Sequence, residues 1–388
     1  MENFLKRLII FSSLLIVIGI NCFSQTHGSK LSGVVLDSES GQPIQYATVF
    51  IAFTAKGCLT DEKGEFIITN VAEGKYEVVC AAVGYEKITT NHTLKTGTEI
   101  NVTYKLKPVP IQVNEINITA SVPEDWEDNL LKFTKEFLGE SSLSEQCTIT
   151  NPEVLDFEIR DYTLIASSKK PLYVVNNALG FKVTVFVKCF EWDMDYDKGK
   201  FAYEPYFENL ICSDINDSIR WSENRKVAYL GSFRHFLKSC AAKDAFDNGF
   251  KFILYEKDNN SLGWKKKLIP SRFNWQSKAD FDSALSSIMR RVSNHQFNIE
   301  TDNRLAVFYT RNNEDPNYKW YKERVYGTKE IKSYQTSYLN LFTGKLLFND
   351  DGNILDRTMF NTEFTGYWAW KRVADLLPDD YKPPKDDE

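Results

Sequence analysis

The chain has 388 residues, 43% of them hydrophobic and 26% charged, close to globular averages, so wholesale disorder and collagen-like repeats are excluded. With 47 Lys+Arg against 53 Asp+Glu, its net charge of −6 lacks the basic footprint of a nucleic-acid binder. Four His leave little material for a His-built metal site, and the length predicts two or three domains.

Residues 1–24 read as an export signal. Lys6 and Arg7 precede the apolar run Leu8–Ile20, and Cys22 and Ser24 are the small residues that signal peptidase takes at −3 and −1, which puts cleavage between Ser24 and Gln25. The run is shorter than the roughly 20 residues of a membrane span. A lipoprotein acylated at Cys22 is the rival reading, although Asn21 is not the small residue expected before such a cysteine. No later stretch reaches the length of a transmembrane helix. The remaining cysteines, Cys58, Cys80, Cys147, Cys189, Cys212 and Cys240, are widely spaced with no Cys-x-x-Cys, which speaks against zinc and thioredoxin-type chemistry. They read as small buried hydrophobes, with room for one or two bridges in an oxidising compartment.

After a short leader at 25–30, residues 31–107 alternate short strands with turns. Strands are predicted at Leu31–Leu36, Ala47–Phe53, Phe66–Thr69, Gly74–Val83 and Asn101–Leu106. The segment Leu59-Thr60-Asp61-Glu62-Lys63-Gly64-Glu65-Phe66 is a hairpin, with Gly64 free to take positive φ and Asp61 shaping the turn. The ordered set Gly33-Val34-Val35, Gly41-Gln42-Pro43-Ile44, Thr60-Asp61-Glu62-Lys63-Gly64-Glu65-Phe66, Gly74-Lys75-Tyr76 and Val83-Gly84-Tyr85 resembles the carboxypeptidase-regulatory-like domain. That resemblance implies a transthyretin-like (prealbumin-like) β-sandwich acting as a stalk or adaptor, without hydrolytic activity of its own.

Lys107-Pro108-Val109-Pro110 opens a linker over 108–125. In outer-membrane receptors this module is followed by a plug and a 22-stranded barrel. Only 268 residues follow position 120, and 22 strands of about 10 residues need roughly 220 before plug and loops are added. The barrel does not fit.

Residues 126–382 predict a β-rich α+β body with a few helices, before an acidic tail at 383–388. Trp126–Leu138, Phe233–Phe246 and Phe281–Val292 carry helical spacing, and Ser232 is a good N-cap for the second. Strands are expected at Thr148–Thr150, Leu155–Ile159, Thr163–Ala166, Leu172–Asn176 and Phe181–Glu191, and two or three more over Tyr334–Phe364 around an Asp351-Gly352 turn. Cys147–Leu155, Pro171-Leu172, Trp221, Asn224-Arg225, Tyr229–Ser232, His235-Phe236-Leu237 and Gly366–Pro378 resemble the body of exported Bacteroidota carboxypeptidase-like regulatory domain-containing proteins. The resemblance implies architecture and an envelope location but no catalytic residues.

The sharpest chemical pattern is Asp193, Asp195, Asp197 and Glu204, spaced like the oxygen ligands of a calcium loop. Gly199 falls one position late and the flanks alternate as strands, so a charged hairpin tip is the reading preferred over calcium. Ser232 and His235 lack the Gly-x-Ser-x-Gly elbow of a hydrolase, and His92 and His295 have no partner at metal spacing. Asp217-Ser218-Ile219 and Asp282-Ser283-Ala284 match a short O-glycosylation acceptor pattern. The composite expectation is a non-catalytic, exported cell-envelope protein without cofactor. Its sandwich would be a spacer or docking unit, and its body would bind an envelope protein or a glycan. Two alternatives stay open. One is a hydrolase with a dispersed site, marked by a pocket gathering His235, Arg225, Glu204 or Asp161. The other is a carbohydrate-binding protein, marked by an exposed row of Trp.

Overall fold

The computed structural model describes residues 28–109, 125–257, 264–266, 277–357 and 361–384. The expected signal with its Ser24–Gln25 cleavage point, the alternative anchor Cys22, most of the linker and the end of the acidic tail lie outside the described residues. The chain is mainly β, a sandwich followed by a β-rich body with helices.

The sandwich has seven strands: β1 (Ser29–Asp37), β2 (Thr48–Ile51), β3 (Gly57–Leu59), β4 (Glu65–Val71), β5 (Gly74–Ala81), β6 (Ile88–Leu94) and β7 (Glu99–Leu106). They form two sheets, ordered β4-β1-β7 and β3-β2-β5-β6. β1 runs antiparallel to β4 and parallel to β7. Leu31, Val35, Val49, Ile51, Val78 and Cys80 fill the space between the sheets. The turn before β4 forms as the sequence predicts, but its flanking strands do not pair as a hairpin: β3 pairs with β2 and β4 with β1, so the turn carries the chain from one sheet to the other. Asp61 Oδ1 accepts the backbone N–H groups of Lys63 (2.9 Å) and Glu65 (2.8 Å), and Gly64 sits at φ +71°. A Cβ at Gly64 would lie 2.5 Å from the Val35 carbonyl oxygen. Sandwich pairing continues past position 107, because Pro108 bridges Tyr85 and the Val109 N–H reaches the Gly84 carbonyl at 2.8 Å.

The body opens with α1 (Trp126–Leu138) and a six-stranded sheet of β8 (Cys147–Ile149), β9 (Leu155–Arg160), β10 (Thr163–Ser168), β11 (Leu172–Asn176), β12 (Phe181–Asp193) and β13 (Lys198–Asn209). Phe133 and Phe137 of α1 pack on this sheet with Phe190 and Val185. α2 (Ile215–Tyr229) and α3 (Phe233–Ala242) follow, then β14 (Phe250–Lys257), β15 (Trp264–Lys266), α4 (Lys278–Ile288), β16 (Met289–Ser293), β17 (Gln296–Glu300), β18 (Arg304–Tyr309), α5 (Tyr318–Tyr326), β19 (Gln335–Leu341), β20 (Lys345–Asn349), β21 (Thr362–Gly366) and α6 (Tyr367–Trp370). These strands form one sheet ordered β15-β14-β18-β19-β21 and another ordered β16-β17-β20. They enclose a second apolar cluster around Phe236, Phe250, Phe281, Leu305 and Phe348. The body's apolar side chains thus gather in two large clusters and a smaller one of Tyr318, Tyr367 and Trp370.

Several boundaries differ from expectation for visible reasons. α3 stops at Ala242 because Lys243 turns left-handed at φ +64°. α4 begins three residues before Phe281 and gives way to a strand at Met289. α2 was not expected as a helix. Its inward face carries Trp221, Asn224, Arg225 and Ala228, while Ile215, Ile219 and Val227 face outward, so the apolar period is masked. That inward face caps a tight turn. Trp221 Nε1 donates to the Asn177 carbonyl (2.8 Å), Asn224 Nδ2 to Ala178 (2.8 Å) and Arg225 Nε to Leu179 (2.7 Å).

Candidate functional site

The sandwich and the body meet through the outer face of the four-stranded sheet. Successive residues of β2 point to opposite faces. Val49 and Ile51 enter the sandwich core, and Phe50 projects the other way, fully buried, stacked on Phe186 (5.9 Å) and Tyr206 (5.0 Å) of the body. Beyond β2 the chain is held by backbone bonds. The Phe53 N–H donates to Pro205 O (2.8 Å), Phe207 N–H to Thr54 O (3.1 Å), and Asp379 N–H to Phe53 O (2.7 Å). These contacts keep Phe53 at φ +66°, a left-handed conformation that costs a side-chain-bearing residue about 1–2 kcal/mol.

Beside this seam lies a fully buried carboxylate. Glu204 of β13 is 0% exposed. It pairs with Lys87 of the sandwich and with Lys188 of β12 (2.9 Å), and accepts from Thr89 Oγ1 (2.9 Å). Burial pushes its pKa up, but the two ammonium groups outweigh that and hold it below the ordinary value. Lys188 is the extra residue of a β-bulge between Val187 and Cys189, which re-aims its side chain so that it also reaches Glu77 of β5 (3.3 Å).

A cleft of about 300 Å³ opens at this junction. One wall is sandwich, with Lys75, Tyr76 and Glu77 on β5 and Asn91 on β6. A second is Lys188. The third is the Asn349–Arg357 segment, where the Asp351-Gly352 turn returns the chain along β20. The C-terminal segment closes the cleft as a strap. Arg234 at the start of α3 donates to the carbonyls of Pro378 (2.8 Å), Asp379 (2.6 Å) and Tyr381 (2.6 Å). The Asp379 carboxylate in turn accepts two bonds from Arg357 Nη2 (2.6 and 2.9 Å), and that guanidinium stacks on Phe53 at 3.8 Å. No signal in the sequence marks these residues as a group, since seven separate segments contribute them.

The calcium-loop candidates are placed apart, at and beyond the tip of the β12–β13 hairpin. Asp193 Oδ1 accepts the N–H groups of Asp195 and Tyr196 at the β12–β13 tip (both 3.0 Å). Asp197 is bound by Lys132 (2.9 Å) and Arg324 (2.5 Å), which outweigh its burial and lower its pKa. Glu204 sits along β13 with Lys87 and Lys188. Among the described residues no group of three or more His, Cys, Asp or Glu side chains is gathered as a metal would need.

Nor does the structure bring the hydrolase candidates together. His235 is buried among Tyr229, Phe250 and Tyr309 and accepts the Gly231 N–H at Nδ1 (3.1 Å), while Ser232 Oγ caps α3 by accepting the His235 N–H (3.1 Å). Arg225 stacks on Phe181 at 4.1 Å, and Asp161 occupies the β9–β10 turn at φ +47°. None of these lines the cleft. His92 contacts Thr90 and Tyr104, and His295 pairs with Asp350. The six described cysteines are free thiols. Cys58 and Cys80 both neighbour Val49, from opposite sides of β2, two strand spacings and about 10 Å apart, beyond the reach of a disulfide. Trp192, Trp221, Trp368 and Trp370 are buried, Trp126 is half-buried and Trp320 on α5 is exposed, so the described residues show no exposed Trp row. Ser218 lies on α2 and Ser283 on α4.

Residues 31–118 match the CarboxypepD_reg-like domain, which extends past the 31–107 expected from the strand pattern. The N-terminal unit is thus a carboxypeptidase-regulatory-like β domain of transthyretin-like fold. No curated protein matches the chain in sequence. Among solved structures, catechol 1,2-dioxygenase from Acinetobacter sp. ADP1 aligns at 14% identity and TM-score 0.19, over 23% of this chain and 55% of that one. The chain therefore spans about half the length of that enzyme. A cohesin–X-dockerin complex from Acetivibrio cellulolyticus aligns at 22% identity and TM-score 0.19, over 30% of this chain and 77% of that one. The 5-hydroxyisourate hydrolase of Klebsiella pneumoniae aligns at 15% identity and TM-score 0.18, over 21% of this chain and 91% of that one.

Proposed function

We propose that this chain is a non-catalytic, exported cell-envelope protein whose sandwich is docked on the body and whose ligand site is the cleft between them. The observation that carries the reading is the pairing of charge in the cleft walls. Lys188 is held by Glu77 and Glu204, and Arg357 by Asp379, which suits a site that holds a ligand more than one that cycles protons. No helix among the described residues is long and apolar enough to cross a membrane.

The test uses purified full chain and an Asn91→Trp variant, which fills the cleft from its exposed rim. Envelope material retained by the wild type and lost by N91W supports the reading. Steady release of product from peptide or glycan libraries by the wild type overturns it in favour of a hydrolase. Fractionation of the native host, with mass spectrometry of the mature N-terminus, checks export. The expected mature chain begins at Gln25.

A further inference from the structure

We infer that the cleft takes a neutral, hydroxyl-rich ligand, one or two sugar rings of an oligosaccharide; this rests on the cleft being the binding site. The argument starts from the amides. Asn91, exposed on β6, makes no side-chain hydrogen bond among the described residues. Asn349 uses Oδ1 to accept the Asn353 N–H (2.9 Å) and leaves Nδ2 unused. Asn353 uses Nδ2 to donate to the Asp379 carbonyl (3.0 Å) and leaves Oδ1 without a partner. Because each used atom faces a backbone group of fixed polarity, the amide orientations of Asn349 and Asn353 are set. Asn353 Oδ1 is itself buried, so the cleft presents the Asn349 donor and, at Asn91, one amide that offers both donor and acceptor. A sugar hydroxyl also donates and accepts, so a pair of adjacent hydroxyls matches this set.

Charge argues in the same direction. The ammonium of Lys188 and the guanidinium of Arg357 already have carboxylates, so an ionic ligand would have to compete for them. Tyr76 and Ile354 add apolar wall against which the C–H face of a sugar ring can lie. The cleft volume, about 300 Å³, is at the low end of the ~300–1,000 Å³ typical of ligand pockets, which limits the bound portion to one or two rings. Lys75 is the lining cation without an ion pair among the described residues, which makes an acidic sugar or a peptide carboxylate the competing ligand.

The experiment is calorimetric titration of the full chain with cellobiose, maltose, mannobiose and chitobiose as neutral probes, and with digalacturonate and trialanine as charged ones. At least one neutral disaccharide should bind with a Kd below about 1 mM. Asn91→Ala and Asn349→Ala should each weaken it about tenfold, the loss of one or two hydrogen bonds, with melting curves confirming that both variants fold. Binding of charged probes alone, abolished by Lys75→Ala, overturns the inference, as does binding of none. The N91W variant separates the two failures. If N91W abolishes binding of a charged probe, the cleft stands and its neutrality falls. If any bound probe is unaffected by N91W, the cleft is not the site.

Discussion

Glu204 is the residue on which the junction's electrostatics converge, and removing it leaves Lys87 and Lys188 facing each other at the seam. Deleting one partner of a buried pair typically costs about 3–5 kcal/mol. The two lysines keep 33% and 30% side-chain exposure, so water recovers part of that, and about 1–3 kcal/mol is expected for Glu204→Ala in chemical denaturation. The pH dependence has a definite sign. The folded pKa of Glu204 is depressed, so its contribution is fully present above the unfolded value of about 4.3 and is lost as pH falls below it through the folded pKa. Glu204→Gln should therefore flatten the acid limb of the stability profile; an unchanged limb would remove Glu204 from the account. His295 has the opposite sign. Its hydrogen bond with Asp350 raises its pKa, so an NMR titration should place its midpoint above about 6.5. Asp350→Asn should move that midpoint down. Any stability it adds is present at low pH and lost as pH rises through the folded pKa, and the exposure of both groups keeps that effect small.

At the scale of elements, the strap Pro378–Tyr381 is the part whose role is least local. One guanidinium, Arg234, binds three of its carbonyls, a fork that lysine cannot reproduce. Arg234→Ala should cost about 1.5–3 kcal/mol and speed hydrogen exchange at Asp379, whose N–H holds Phe53. Arg234→Lys should restore little. Exchange unchanged in the variant would mean that the strap is held by Arg357 and Asn353 instead. Much of this level was legible in the sequence. Five of the seven sandwich strands, the Gly64 turn, the β12–β13 hairpin and the Ser232 cap rest on local patterns, whereas β3 and β6 were not expected. The run Val49-Phe50-Ile51-Ala52-Phe53 carried a further signal, because an uninterrupted apolar strand implies cover on both faces, and Phe50 is indeed covered by the body. What stayed hidden was every feature made by pairing distant segments. α2 spends its inward face on capping bonds from Asn224 and Arg225, which erases the apolar period, and α5 buries Lys322 against Glu314 (2.9 Å), which reads as a solvated surface. The cleft amides at 91, 349 and 353 are ordinary polar residues until the fold brings them together.

For the whole molecule the question is whether sandwich and body behave as one cooperative unit. Three kinds of contact join them: the apolar patch of Phe50, Ala52 and Val79 on Phe186 and Tyr206, the Glu204 pairs, and the backbone bonds at Phe53 and Thr54. Phe50 is the discriminating probe, because its side chain belongs to the junction while its neighbours Val49 and Ile51 point into the sandwich core. Burying a phenylalanine and truncating it to alanine costs about 3–5 kcal/mol, and here that loss falls on the coupling and leaves both cores intact. Wild-type protein should melt in a single calorimetric transition. Phe50→Ala should split it into two, with sandwich and body unfolding separately, since multidomain chains stay two-state only while their interfaces hold. The same variant should also lose ligand affinity at the cleft without touching a cleft residue, because β5 and β6 would no longer be held at a fixed distance from Asn349 and Asn353. Two transitions already present in the wild type, or a Phe50→Ala variant that melts in one step and binds normally, would mean that the sandwich is a tethered neighbour and that the cleft is not organised by its docking.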